Sequence, residues 1–183
     1  MLWVKSRFQK VVLGLILGGI LGFGTFGSAA VAQSVDPQYY FRLTTQFRGD
    51  DMCLDVFNGG AKNNMTHLAR CADLSGQYWR FQPAGDGYYK LTTMFRGANM
   101  CLDVFNGGAR NNQVHLTQCA DYSGQFWKVT RQGGWSRLTT QFRGASMCLD
   151  VFNGGANNNM PHLTNCANLS GQYWKLSRTG KRI

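Results

Sequence analysis

The chain has 183 residues, room for one domain of ordinary size or two small ones. Its 19 Lys and Arg outweigh nine acidic residues, all of them Asp, for a formal net charge of +10, which favours an anionic surface or polymer as partner. Aromatic residues make up 13% and glycines number 23, with no sustained 3.6-residue periodicity; this excludes a helical bundle and favours an all-β chain.

In chain order, the first segment reads as a leader. Lys5, Arg7 and Lys10 form a basic region, Val11 to Phe26 an apolar run, and Ala30-Val31-Ala32 an A-x-A cleavage signature. Residues 1–32 are therefore predicted to be a signal peptide, with a short extension over 33–39 and a mature charge of +7. The apolar run is shorter than the roughly 20 residues that cross a bilayer comfortably. Cleavage is thus favoured over anchoring, although Gly14, Gly18 and Gly22 show a G-x-x-x-G spacing. The expectation is a secreted or periplasmic protein without stable membrane insertion after cleavage.

The remainder of the chain is one unit written three times. Leu43-Thr44-Thr45-Gln46-Phe47-Arg48-Gly49 returns from Leu91 and again from Leu138, with Met94 for Gln46 in the second copy. Met-Cys-Leu-Asp-Val-Phe-Asn-Gly-Gly-Ala starts at Met52, Met100 and Met147, and Ser-Gly-Gln-aromatic-Trp at Ser75, Ser123 and Ser170. A domain over 40–178 is expected, with repeats at 40–86, 88–133 and 135–178. Within the first, Arg42 to Phe47, Met52 to Phe57, Met65 to Arg70 and Gln77 to Phe81 read as short strands. Asn58-Gly59-Gly60 reads as a turn, because glycine takes positive φ without steric cost. About twelve short strands with turns every 8–12 residues suit a sandwich or barrel, and a closed barrel removes exposed edges.

Each repeat holds two cysteines 18 residues apart: Cys53 and Cys71, Cys101 and Cys119, Cys148 and Cys166. Six cysteines allow 15 pairings, of which the in-repeat one treats the three copies alike. Such a bridge is worth about 3 kcal/mol in the chain-entropy account. No C-x-x-C occurs and a lone His precedes each second cysteine by four residues, so zinc is disfavoured and no metal is expected.

Cys-Leu-Asp-Val, a second cysteine 18 residues on and a closing Gln-x-Trp resemble the ricin B-type lectin domain, the Q-x-W β-trefoil. The resemblance covers about 40 to 176 and implies a threefold barrel capped by hairpins, with one potential sugar pocket per repeat. Gln77 with Trp79, Gln125 with Trp127 and Gln172 with Trp174 read as structural, the Trp as core anchors. Alternation in a strand places Gln77 and Trp79 on one face and Tyr78 on the other.

The same alternation turns Asp55, Asp103 and Asp150 outward, where the resemblance makes them acceptors for ring hydroxyls, with an Asx-turn carboxylate bonded to its own backbone as the competing role. His67, His115 and His162 sit where the family often places a polar ligand contact. Two features depart from the family pattern. The aromatic platform two residues before the second cysteine is Ala69, Thr117 or Thr164, and the Asn often found before Gln-x-Trp is Gly76, Gly124 or Gly171. Phe57, Phe105 and Phe152 lie on the face of the Asp residues and are the expected substitute platform, with filling of the hairpin as the competing role. Asn63, Asn64, Asn111, Asn112, Asn158 and Asn159 form a polar strip explained first by turn chemistry, with sugar contact as the alternative, and Arg48, Arg96 and Arg143 are repeated candidates for contact with acidic sugars.

The sequence thus predicts a non-enzymatic binder of glycans or polysaccharide, acidic ones favoured by charge, with no cofactor and no nucleic-acid partner. It assigns no oligomeric state. Glycoside hydrolysis normally needs two carboxyl groups about 5–10 Å apart, whereas one Asp recurs per repeat. The alternative is a protein-binding trefoil of the inhibitor or ligand type, since a fold hosts many functions.

Overall fold

The computed structural model describes residues 35–183; the signal peptide and cleavage site expected from the sequence lie outside the described residues. Twelve strands fall four to a repeat. The first repeat holds β1 (Tyr39–Thr45), β2 (Gly49–Val56), β3 (Thr66–Arg70) and β4 (Trp79–Pro83). The second holds β5 (Tyr88–Thr93), β6 (Gly97–Val104), β7 (Val114–Gln118) and β8 (Trp127–Gln132). The third holds β9 (Trp135–Thr140), β10 (Gly144–Val151), β11 (Pro161–Asn165) and β12 (Trp174–Arg182).

The first and last strand of each repeat close a six-stranded antiparallel barrel. Pairing runs β1 to β4, β4 to β5, β5 to β8, β8 to β9, β9 to β12 and β12 back to β1. The hairpins β2–β3, β6–β7 and β10–β11 form a cap over one end. They meet about the pseudo-threefold axis through Leu116 N–H to Asn64 O, Leu163 N–H to Asn112 O and Leu68 N–H to Asn159 O, each 2.8 Å. The all-β trefoil of three disulfide-stapled repeats expected from the sequence is the observed fold.

Trp79, Trp127 and Trp174 are fully buried, and each indole N–H donates to the carbonyl of Leu54, Leu102 or Leu149 at 2.8 Å. Each indole thus joins the barrel strand that carries it to the cap hairpin of its own repeat. The bridges Cys53–Cys71, Cys101–Cys119 and Cys148–Cys166 cross-link the two strands of each hairpin.

The structure differs from the strand reading at Gln-x-Trp. Ser75–Gln77, Ser123–Gln125 and Ser170–Gln172 are single 3₁₀ turns, and the strand begins only at the Trp. Gln77, Tyr78 and Trp79 are all buried, so exposure does not alternate there, whereas Phe126 and Tyr173 are half-buried between a buried Gln and a buried Trp. A period of two describes only extended chain, and this turn folds back under the hairpin of its own repeat.

Candidate functional site

Asp55, Asp103 and Asp150 do not point outward; they are 7%, 9% and 7% exposed. In β2 the four residues Cys53 to Val56 are all buried, because the 3₁₀ turn of the same repeat covers the face that alternation would leave open. The glycine of that turn makes the fit. A Cβ at Gly76, Gly124 or Gly171 would overlap Oδ1 of Asp55, Asp103 or Asp150. The departure from the family pattern at these glycines therefore has a physical cause, since the carboxylate occupies the space a side chain would need.

Each carboxylate is held the same way. Oδ1 accepts the following backbone N–H, of Val56, Val104 or Val151, at 2.7 Å. Oδ2 accepts Nε2 of Gln77, Gln125 or Gln172 at 2.9–3.0 Å. The fully buried Gln also donates to the carbonyl of Arg70, Gln118 or Asn165, and its Oε1 accepts the N–H of Ala72, Ala120 or Ala167. The Gln of Gln-x-Trp is thereby a clamp that fixes the carboxylate. A carboxylate offers about four acceptor positions, so two remain beyond those the protein occupies.

Hollows lie beside two of these carboxylates, Asp103 and Asp150. In the second repeat one of about 280 Å³ is lined by Asp103, Val104, Asn106, Tyr122, Ser123, Gly124 and Phe142. In the third repeat one of about 190 Å³ is lined by Asp150, Val151, Asn153, Leu169, Ser170, Gly171 and Phe47. Each wall combines two repeats: Phe142 N–H donates to Ser123 O and Phe47 N–H to Ser170 O, with Phe95 N–H to Ser75 O completing the ring. The first repeat carries the matching set of Asp55, Asn58, Leu74, Ser75, Gly76 and Phe95.

The other residues singled out from the sequence are placed differently. Phe57, Phe105 and Phe152 are half-buried and stack on His67, His115 and His162 of the paired strand, with ring centroids 3.8, 3.8 and 3.7 Å apart. Neither ring of these pairs lines the hollows beside Asp103 and Asp150. Burial lowers the pKa of all three histidines, and the nearby Asp opposes it; Lys62 and Arg110 add to the lowering at His67 and His115. A neutral imidazole stacked on a phenyl ring is the result.

Arg48, Arg96 and Arg143 are half-buried ties between repeats. Their Nη2 groups donate to Asn158, Asn63 and Asn111 Oδ1 at 2.7 Å, and each guanidinium lies 4.1 Å from the ring centroid of Phe47, Phe95 or Phe142. These arginines thus prop the aromatic wall of the hollow. Asn63, Asn111 and Asn158 also accept the N–H of Gly59, Gly107 and Gly154, while Asn64, Asn112 and Asn159 take positive φ in the hairpin turn. The polar strip is turn chemistry.

Sequence reasoning missed the two wall positions. Leu74, Tyr122 and Leu169 are 52%, 64% and 51% exposed, unusual for apolar side chains repeated at one position. Their recurrence immediately before Ser-Gly-Gln was a usable signal, as was the recurrence of Phe47, Phe95 and Phe142.

A closed trefoil barrel with a clamped carboxylate beside a surface hollow defines a binding module. The chain belongs to the ricin-type beta-trefoil lectin domain family, whose profile matches residues 39–174. Membership supports carbohydrate binding in general. Among solved structures, the chain is similar to a designed threefold-symmetric protein, ThreeFoil, at 26% identity and a TM-score of 0.63, covering 75% of this chain and 97% of that one. It is similar in fold to a mosquitocidal holotoxin (14% identity, TM-score 0.68), covering 80% of this chain and 18% of that one. It is also similar in fold to the Polyporus squamosus lectin (15%, 0.64), covering 79% of this chain and 50% of that one. No curated protein matches the sequence.

Proposed function

We propose that the chain is an exported, non-catalytic lectin whose sugar sites are the hollows at Asp103 and Asp150, with a third at Asp55. The observation that carries this reading is the clamped carboxylate at each hollow. Gln and the backbone fix its orientation while two acceptor positions remain for a pair of vicinal hydroxyls. The aromatic and apolar walls offer a surface on which the C–H face of a pyranose leaves water. The Polyporus squamosus lectin, solved bound to a human-type influenza-binding epitope, shares the fold.

Because the repeated arginines are engaged between repeats, the hollows present neutral groups around one carboxylate, and neutral, hydroxyl-rich sugars suit them better than acidic ones. Three such sites acting on one polymer raise weak affinities, since the second contact is intramolecular. Export is supported by the leader read from the sequence and by the three bridges, which persist in oxidising compartments. Among the described residues no helix is long and apolar enough to cross a membrane.

A glycan array read with the wild type and with Asn58→Ala/Asn106→Ala/Asn153→Ala tests the assignment. Asn106 and Asn153 line the hollows, Asn58 is their counterpart in the first repeat, and all three are exposed. Binding to neutral glycans by the wild type, weakened in the variant at unchanged Tm, is expected. A blank array with a protein recovered by pull-down would transfer the chain to the protein-binding reading.

A further inference from the structure

A further hollow on the described surface is not one of the carboxylate hollows. It measures about 570 Å³, within the roughly 300–1,000 Å³ of small-molecule sites, and is lined by Gln46, Trp135, Asn168, Leu169, Ser170 and Tyr173. Leu169 and Ser170 also line the Asp150 hollow, so the two hollows adjoin on either side of these residues. The lining holds an indole, a phenol, two amides and a hydroxyl, and no charged group.

The cleft lies in the third repeat, where two substitutions, Asn168 and Trp135, break the symmetry. Where the first and second repeats have Asp73 and Asp121, the third has Asn168. In the first repeat Lys181 pairs with Asp73 at 3.1 Å and stands 4.9 Å from the Tyr78 ring centroid. In the second, Lys90 pairs with Asp121 at 2.9 Å and stands 5.1 Å from Phe126, and Tyr88 packs edge-on against that ring. In the third, Asn168 accepts the Tyr173 hydroxyl, and Arg137 donates to Ala167 O and Tyr173 Oη as Arg42 does to Ala72 O and Tyr78 Oη in the first. Among the described residues no lysine reaches Asn168 or Tyr173; the cation over the Tyr173 ring is the Arg137 guanidinium, 5.1 Å from its centroid, as Arg42 is 5.2 Å from that of Tyr78. Trp135 replaces Tyr40 and Tyr88 at the matching position, which puts the broadest aromatic surface beside the open cleft.

We propose that the third repeat carries an extended groove in which one sugar unit sits at Asp150 and the adjoining unit of a neutral oligosaccharide stacks in the Trp135 cleft. This rests on the reading of the Asp150 hollow as a sugar site. It makes the third repeat select chains of two or more units, whereas the ion pairs Lys181–Asp73 and Lys90–Asp121 place charge on the matching ground of the first and second.

Trp135 supplies its own reporter, since Trp79, Trp127 and Trp174 are fully buried and Trp135 is partly exposed. The probe is a ladder of unbranched neutral oligosaccharides, one to four units of β-linked galactose, glucose or N-acetylglucosamine, titrated by calorimetry and tryptophan emission. The expected result is an affinity gain of about tenfold from one to two or three units, the scale of one aromatic stacking contact. The gain is accompanied by an emission change. Trp135→Ala abolishes both while leaving monosaccharide affinity unchanged, and Trp135→Tyr restores part of the gain. Monosaccharide binding with no length dependence and no emission change overturns the groove and leaves the carboxylate sites standing. No binding by any ladder member also overturns it, and the glycan array then decides separately whether the chain is a lectin.

Discussion

Gly124→Ala probes the feature on which the site depends. The φ of Gly124 is not positive, so alanine suits the backbone, and by loss of chain entropy alone it would stabilise the fold by about 0.4–1 kcal/mol. The new Cβ, however, overlaps Asp103 Oδ1 and comes within 3.3 Å of Val104 N. The carboxylate must swing away and give up its bonds from Val104 N–H at 2.7 Å and Gln125 Nε2 at 3.0 Å. Hydrogen bonds to a charged acceptor are worth about 1.5–3 kcal/mol each, so the net expectation is a loss of about 2–5 kcal/mol. Asp103→Ala loses the same two bonds, which makes the pair strongly non-additive. In the Asp103→Ala background, Gly124→Ala should cost little, a coupling of about 2 kcal/mol or more. Urea denaturation with disulfides intact measures all four corners of the cycle. A neutral or stabilising Gly124→Ala, or additivity within about 0.5 kcal/mol, would refute the picture of a carboxylate lodged against the glycine.

Acidification should destabilise the fold through the three histidines. Their folded pKa values lie below the ordinary value of 6.5, chiefly through burial, so below that pH the unfolded chain takes up protons first. Stability should be flat above about pH 6.5 and fall as pH drops, until the folded rings protonate as well. Tm measured from pH 7.5 to 5 checks this. A fall no smaller in His67→Gln/His115→Gln/His162→Gln would mean that other groups cause it. Arg96→Lys should lower stability by about 1 kcal/mol, because an ammonium cannot both stack on Phe95 and reach Asn63 as a planar fork does. Stability equal to wild type in urea would show the tie between repeats to be idle.

Local chemistry and repetition determined much of this protein. The 47- and 48-residue offsets, the paired cysteines and the glycine turns specify three like units, and three like units with unburied faces close into a barrel. The resemblance carried by Cys-Leu-Asp-Val and Gln-x-Trp named the family and drew attention to Asp55, Asp103 and Asp150. What those carboxylates face was decided by contacts between residues 22 apart. Alternation assumes one covered face, and here the Ser-Gly-Gln turn covers the other. The walls of each hollow come from two repeats, so no single repeat displays them: Phe142 meets Tyr122 and Phe47 meets Leu169 only when the ring closes. Hydrophobic pattern is a property of neighbours along the chain, whereas a hollow is a property of neighbours in space, and closure about the pseudo-threefold axis converts one into the other.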